Sequence, residues 1–334
     1  MIARLLCMAG CVAALALAGC GRKTGASNAG AAAPTSAVAA APVSPGAPGS
    51  PPVNDGPPVD GDVTLSAPAT ALAGSSIAVT FTGPANASDY IDIAPRGDTQ
   101  TSGELSYVYV NAAAKGARLR VLTTPGEYDV RYILDLKDGG RKVKAVSPLT
   151  ITPATATLTV PPTALGAEPL SIEWTGPAGD GDYVDVVPQG YTDTSGEIAY
   201  AYTSAGSPAM FSAPGPSGDY TVRYVLEGPG GRRVLTTAPL SVTAPEATLE
   251  APDTAKTNAT VAVVWTGPKR SGDYVDLVKK GYTQTSGEIS YFYTDRQTAS
   301  ELKMPIEPGE YEIRYVMEAP KQRVVLARRA ISVD

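Results

Sequence analysis

A polar tetrapeptide that occurs three times, Thr-Ser-Gly-Glu, holds the side chains best suited to ligand binding. Its copies span residues 101–104, 194–197 and 285–288. Hydroxyl and carboxylate groups hydrogen-bond to glycans and peptides, and their oxygens also bind ions. The candidate recognition residues are Thr101, Glu104, Thr194, Glu197, Thr285 and Glu288. A structural role is the alternative, because glycine suits the positive φ of a tight turn and serine bonds locally.

Charged residues also recur at matching positions on two strands that the sequence predicts to be neighbours. Alternation along each strand places these charges on its outward face. They are Arg131, Arg223 and Arg314 on one strand, and Asp92, Asp185 and Asp276 on the other. Two interpretations follow. The residues form exposed cross-strand ion pairs, worth a few tenths to about 1 kcal/mol each, or they form a charged strip that faces a ligand.

Catalysis has little support in the residue types that the chain contains. Histidine is absent, and the three cysteines are Cys7, Cys11 and Cys20, so Ser-His and Cys-His sites are excluded from the folded repeats. Asp185 and Glu197 are paired carboxylates of the kind that glycoside hydrolysis needs. Because nothing in the sequence places them in a pocket, we predict a non-catalytic protein, with a glycan- or peptidoglycan-acting hydrolase as the alternative.

Metal, cofactor and nucleic-acid binding are not predicted. Asp182 and Asp185 suggest a calcium site, as do Asp273 and Asp276, but residues three apart on a strand point to opposite faces. No glycine-rich loop before a helix is present to bind a phosphate. The formal net charge of −6 disfavours a nucleic-acid partner.

The composition and the apolar pattern predict an all-β fold. Glycine (34 residues) and proline (30 residues) favour turns, and 17 tyrosines suit half-buried strands. Leu170, Ile172 and Trp174 alternate with polar residues, which gives one apolar and one polar face. Ile289, Tyr291 and Tyr293 mark another alternating strand.

Three internal repeats divide the predicted fold. Phe81-Thr-Gly-Pro84 recurs as Trp174-Thr-Gly-Pro177 and Trp265-Thr-Gly-Pro268, a spacing of about ninety residues. We assign repeat 1 to residues 62–153, repeat 2 to 154–243 and repeat 3 to 244–334. About seven short strands in each repeat predict an immunoglobulin-like β-sandwich.

A tyrosine at the start of the penultimate strand supports the sandwich prediction. Tyr128, Tyr220 and Tyr311 each follow a glycine and an acidic residue, where a hydroxyl can bond back to the main chain as a tyrosine corner. The repeats lack the inter-sheet cysteine pair of antibody domains, and their large aromatic closes the second strand instead of lying on the third. The predicted likeness is therefore one of architecture.

The repeat motifs also resemble a known bacterial module. Trp-Thr-Gly-Pro, Gly-Asp-Tyr-Val-Asp, Tyr-x-Tyr-Thr and Gly-x-Tyr-x-x-Arg-Tyr-Val are similar to repeats appended to von Willebrand factor A proteins of Gram-negative bacteria. The resemblance covers residues 62–334 and implies the fold class alone. No Asp-x-Ser-x-Ser motif of the companion metal-binding domain occurs in the chain.

The N-terminal segment predicts export and lipid attachment. A basic start, Met1-Ile-Ala-Arg4, precedes an apolar run that is too short to span a bilayer and is typical of a signal peptide. The sequence Leu17-Ala18-Gly19-Cys20 resembles the lipobox of bacterial lipoproteins, which implies cleavage after residue 19 and lipidation of Cys20. Gly21 after that cysteine implies the outer membrane. Residues 20–61, rich in alanine, proline and glycine, are predicted to be a disordered linker.

Together these observations predict a cell-envelope lipoprotein that is held in the outer membrane through Cys20 and faces the periplasm or the cell surface. The repeats would act as a tethered scaffold or binding module for an envelope protein or a glycan. Three copies of one module strengthen weak binding, because linked sites raise each other's effective concentration.

Overall fold

The computed structural model describes residues 56–110, 117–295 and 300–334, and the regular secondary structure of these ranges is β-strand apart from one short 3-10 turn. The predicted signal peptide, Cys20 and most of the predicted linker lie outside the described residues. Within the described ranges, no helix has the length and apolarity that crossing a membrane requires.

Each repeat contributes eight consecutive strands to the described part of the chain. Repeat 1 contains β1 (Thr64–Ser66), β2 (Thr70–Leu72), β3 (Ser76–Thr82), β4 (Tyr90–Pro95), β5 (Ser106–Tyr109), β6 (Ala117–Arg120), β7 (Gly126–Asp135) and β8 (Arg141–Thr152). Repeat 2 contains β9 (Thr157–Thr159), β10 (Thr163–Leu165), β11 (Pro169–Thr175), β12 (Tyr183–Pro188), β13 (Ala199–Tyr202), a 3-10 turn (Thr203–Ala205), β14 (Ala209–Ser212), β15 (Gly218–Leu226) and β16 (Arg233–Thr243). Repeat 3 contains β17 (Thr248–Glu250), β18 (Thr254–Ala255), β19 (Thr260–Thr266), β20 (Tyr274–Lys279), β21 (Ser290–Tyr293), β22 (Ser300–Lys303), β23 (Gly309–Ala319) and β24 (Gln322–Val333).

The strands of a repeat form one three-stranded and one five-stranded sheet. In repeat 1 the orders are β1-β3-β6 and β2-β8-β7-β4-β5, and repeats 2 and 3 have the same topology. Neighbouring strands are antiparallel, except that β2 pairs with β8 in parallel, as do β10 with β16 and β18 with β24. The predicted fold class, three tandem immunoglobulin-like sandwiches, is confirmed.

The strand count differs from the prediction because the leading strand of each repeat is split in two. In repeat 1, β1 pairs with β3 in one sheet and β2 pairs with β8 in the other. Pro68 lies between the two pieces, and Pro161-Pro162 and Pro252 lie at the matching points of the other repeats. Proline cannot donate to a ladder of hydrogen bonds, so the chain leaves the first sheet there and joins the second.

The core of each repeat lies between its two sheets. Leu170 and Ile172 of β11 are buried, as their alternation predicts, and the Trp174 ring lies 5.6 Å from that of Tyr224. The hydroxyl of Tyr220 donates to the Pro216 carbonyl at 3.0 Å, and that of Tyr311 bonds in the same way to Glu307. Tyr128 has the corresponding place on β7 and packs half-buried against the core of repeat 1.

Consecutive repeats pack directly against each other. Leu226, in the β15–β16 hairpin of repeat 2, belongs to the apolar cluster of repeat 1 and packs close to Gly74. Thr123 of repeat 1 donates from its main-chain N–H to the Pro229 carbonyl at 3.1 Å, and from its hydroxyl to the Gly231 carbonyl at 2.8 Å. The β23–β24 hairpin of repeat 3 likewise packs against repeat 2. The residue limits of the repeats stay predictions, because the described repeats belong to one compact unit.

Candidate functional site

The predicted arginine–aspartate pairs form between neighbouring strands, but they are buried and not exposed. Asp185 of β12 stands opposite Arg223 of β15, and Arg223 donates from Nε at 2.9 Å and from Nη2 at 2.6 Å to the two carboxylate oxygens. The side chains are only 2% and 0% exposed. The same two-bond pairing joins the matching residues of the other repeats, Arg131 with Asp92 and Arg314 with Asp276.

The loop between the fourth and fifth strands of each repeat covers these pairs. In repeat 2, Arg223 Nη1 donates to the Asp193 carbonyl at 2.6 Å. Arg131 and Arg314 each donate to two carbonyls of the corresponding loops. The predicted cross-strand ion pairs are therefore confirmed. Their exposure and the ligand-facing strip were wrong, because strand alternation does not reveal a loop that folds over the outer face.

The carboxylates considered for catalysis and for calcium have other partners. Both oxygens of the buried Asp185 bind Arg223, so Asp185 does not face a cleft as a hydrolase carboxylate would. Asp182 accepts hydrogen bonds from the Tyr224 hydroxyl at 3.1 Å and from the main-chain N–H of Glu227 at 2.9 Å. Burial raises the pKa of Asp182. Among the described residues, no three histidine, cysteine or acidic side chains are grouped to hold a metal ion.

An exposed group of tyrosines lies beside each buried ion pair. In repeat 2, Tyr200 and Tyr202 project from the edge strand β13 and are 46% and 51% exposed. Their ring centroids are 5.3 Å apart with an angle of 81° between the planes, and both rings contact the buried Tyr183 of β12 edge-on. The matching tyrosines of repeats 1 and 3 adopt the same arrangement, and they are Tyr90, Tyr107, Tyr109, Tyr274, Tyr291 and Tyr293.

An arginine and a glutamate complete this surface. The guanidinium of Arg232 lies 5.5 Å from the centre of the Tyr183 ring, within the range of a cation–π contact. It also lies 3.7 Å from Glu197. Arg141 with Glu104 in repeat 1 is arranged identically, and Arg323 stacks on Tyr274 in repeat 3. We call the three tyrosines, the arginine and the glutamate of one repeat its platform.

The platforms of repeats 1 and 2 surround shallow depressions. In repeat 2 the depression has a volume of about 300 Å³ and is lined by Tyr183, Tyr200, Tyr202, Glu197, Arg232 and neighbouring residues. In repeat 1 the corresponding depression has about 110 Å³. Burial raises the pKa of Tyr183 to about 12, and it also raises the pKa values of Tyr90 and Tyr274. The floor of every platform is therefore an uncharged phenol at neutral pH.

The Thr-Ser-Gly-Glu tetrapeptides support the platforms chiefly through their main chain. The carbonyls of Thr101, Thr194 and Thr285 accept hydrogen bonds from the hydroxyls of the buried tyrosines, at 2.8, 2.9 and 2.6 Å. Gly103, Gly196 and Gly287 have positive φ, as the turn prediction requires. The glutamates Glu104 and Glu197 line the depressions. The structure thus brings the candidate glutamates to the platforms, and it uses the threonines as supports.

The exposed tyrosines and the stacking arginines were missed at the sequence level. Tyr107-Val-Tyr109, Tyr200-Ala-Tyr202 and Tyr291-Phe-Tyr293 recur in all three repeats, but alternation alone does not say which face of a strand is covered. The strand predicted from Ile289, Tyr291 and Tyr293 is present as β21, which begins one residue after Ile289, and all three side chains are exposed. The repeated Tyr-x-Tyr on a predicted edge strand was the available signal.

Comparison with known proteins finds similar architectures only. No family model and no curated protein matches the chain. Extracellular domains 3–5 of Drosophila OTK align over 83% of this chain and 98% of their own, with 12% identity and a TM-score of 0.25. The titin I-band fragment I67–I69 aligns over 82% and 99%, with 14% identity and a TM-score of 0.22. Sidekick-1 immunoglobulin domains 1–5 align over 81% and 58%, with 14% identity and a TM-score of 0.24. At such values the likeness extends to no function.

Proposed function

We propose that this chain is a non-catalytic binding module of the bacterial cell envelope, which holds a partner macromolecule at the three platforms. The observation that carries the proposal is the exposed tyrosine pair of each repeat, backed by a buried tyrosine, an arginine and a glutamate. Scattered exposed apolar residues need no explanation, whereas clustered ones mark interaction sites.

The residue types of the platform suit binding. Tyrosine offers a rigid apolar face and a polar hydroxyl, so it gains contact area at a small cost in conformational entropy. Tyrosine and arginine are also enriched among the residues that dominate binding energies. The buried Tyr183 holds its neighbours from below, so the exposed rings of repeat 2 are positioned before a partner arrives.

The repetition of the platform supports a multivalent partner. A polymer or an extended protein surface that contacts two or three platforms gains avidity, because the second contact forms within the same complex. The direct packing between repeats supports this reading, since Leu226 and Thr123 fix the contact between repeats 1 and 2.

The location in the envelope is the part of the proposal that rests on the sequence. The lipobox-like Leu17-Ala18-Gly19-Cys20 supports acylation of Cys20 and retention in the outer membrane, where durable anchoring needs more than one acyl chain. The proline- and alanine-rich segment that follows supports a tether between the lipid and the repeats.

The proposal is tested by binding of the purified full chain to isolated cell envelopes. Six substitutions to alanine remove the exposed rings, at Tyr107, Tyr109, Tyr200, Tyr202, Tyr291 and Tyr293. The matched control replaces three other exposed apolar side chains, Leu72→Ala, Met210→Ala and Val264→Ala. We expect the tyrosine variant to lose at least about tenfold in envelope binding, as loss of a binding hot spot does. Equal envelope binding by both variants would show that the platforms are not the binding surface.

A fractionation arm of the same experiment tests the anchor. The wild-type chain should sediment with outer membranes, and Cys20→Ser should appear in the soluble periplasmic fraction. A Cys20→Ser chain that still sediments with membranes in the absence of a cell wall would exclude lipid anchoring at this residue.

A further inference from the structure

We infer that the platforms bind a neutral glycan, with the depression of repeat 2 as the principal site. This inference rests on the proposed function and names the class of ligand for the same surface. Three observations carry it: the right-angled corner of tyrosine rings, the balance of charges around that corner, and the short edge strand that bears the tyrosines.

The first observation is the geometry of the rings. Tyr200 and Tyr202 stand at 81° to each other and form a corner, with the buried Tyr183 closing its floor. A sugar ring has an apolar face of C–H groups and a rim of hydroxyls. The corner offers an aromatic face to the C–H groups of the sugar. The tyrosine hydroxyls and Glu197 offer hydrogen bonds to the sugar hydroxyls. Such a mixture of aromatic walls and a few polar groups is typical of small-ligand sites.

The second observation is that positive and negative side chains around the corner neutralise each other. In repeat 1, the guanidinium of Arg141 lies 3.7 Å from Glu104. In repeat 2, Arg232 lies 2.6 Å from Glu227 and 3.7 Å from Glu197, and Lys321 of the next repeat lies 4.0 Å from Glu197. Each cation therefore already has a carboxylate beside it. An anionic sugar would have to displace that carboxylate, so the arrangement favours a ligand without charge.

The third observation concerns the outer edge of the tyrosine-bearing strand. An extended peptide would add there as a further strand. This strand has only four residues in each repeat. In repeat 3, the Ser290 hydroxyl donates to the Lys303 carbonyl at 2.9 Å, and Ser106 bonds to Arg120 in the same way in repeat 1. In repeats 1 and 3 these bonds connect the edge to the other sheet of the sandwich, which disfavours peptide addition there. Repeat 2 has Ala199 at the matching position, so at its platform the short length of β13 is what disfavours a peptide.

The size of the depressions ranks the sites. Small-ligand pockets usually have volumes of about 300–1,000 Å³. The depression of repeat 2, with about 300 Å³, reaches the lower end of that range, and that of repeat 1, with about 110 Å³, does not. The sites are thus suited to one or two sugar units of a chain, and repeat 2 should contribute most of the affinity.

The inference is tested by calorimetric titration of the purified full chain with hexasaccharides. The neutral probes are chitohexaose, cellohexaose and mannohexaose, and the anionic probe is hexagalacturonate. We expect at least one neutral probe to bind with an affinity that is insensitive to salt, and hexagalacturonate to bind at least about tenfold more weakly. Tyr200→Ala with Tyr202→Ala should abolish most of the binding, and Tyr107→Ala with Tyr109→Ala should reduce it less.

A second variant pair separates loss of binding from loss of folding. Tyr200→Phe with Tyr202→Phe keeps the rings and removes the hydroxyls, so the fold and part of the affinity should remain. Tighter binding of hexagalacturonate, or no heat with any neutral probe, overturns the inference. If envelope binding still depends on the six tyrosines in that case, the proposed function stands and the partner is a protein surface or a charged polymer.

Discussion

Two arginines of repeat 2 show how depth changes the role of the same side chain. Arg223 lies on the outer face of the five-stranded sheet and is 2% exposed, whereas Arg232, at the hairpin of the same sheet, is 39% exposed. Both pair with carboxylates at 2.6 Å. The loop before β13 covers the first pair and leaves the second beside the depression. A covered ion pair therefore holds the loop to the sheet, whereas an uncovered one remains available to a ligand.

Tyr183 forms the boundary between the two regions. Its ring lies under the guanidinium of Arg232, and its hydroxyl donates to the Thr194 carbonyl in the covering loop. The same loop therefore secures the buried pair through Arg223 and the floor of the platform through Tyr183. Disturbing the buried pair should disorganise the platform, whereas disturbing the platform should leave the buried pair intact.

The largest effect should come from breaking the buried pair. Asp185→Ala leaves the Arg223 guanidinium buried without its carboxylate, and removal of one partner of such a pair costs about 3–5 kcal/mol. We expect the unfolding transition of repeat 2 to lose that much stability in chemical denaturation of the full chain. A double variant, Asp185→Leu with Arg223→Leu, should recover part of the loss, because it leaves no unpaired charge. A loss below about 1 kcal/mol for Asp185→Ala would mean that the pair is accessible to water.

The sequence predicts only part of these two regions, because strand alternation shows which residues share a face and not which face is covered. The pairing of Asp185 with Arg223 was predictable, since both the facing direction and the neighbouring strands follow from the pattern. The burial of this pair was not, because it depends on a loop that returns over the sheet. The platform was missed for the converse reason: Tyr200 and Tyr202 alternate as core residues do, yet they face solvent on an edge strand.

A smaller effect should appear at alkaline pH through Tyr183. Burial raises the pKa of its hydroxyl from 10.0 to about 12. Below pH 10 the hydroxyl is protonated in the folded and unfolded chain, and its contribution to stability is complete. As the pH rises from 10 to 12, the unfolded chain releases the proton and the folded chain keeps it, so stability falls. Denaturation curves across this window should show a shallower decline for Tyr183→Phe. Identical slopes for variant and wild type would indicate that the hydroxyl is open to solvent.

The smallest effect on stability should come from the exposed pair. Arg232→Ala removes a guanidinium that contacts Glu227 and the Tyr183 ring at the surface, where ion pairs contribute about 0–1 kcal/mol. The free energy of unfolding should therefore change little, in contrast to Asp185→Ala. Envelope binding should instead fall more than stability does, because Arg232 lines the depression and its loss leaves Glu227 without its cation. We expect envelope binding measured by co-sedimentation to fall severalfold in a chain that melts normally. Unchanged binding would mean that only the tyrosines of the platform contribute to partner binding.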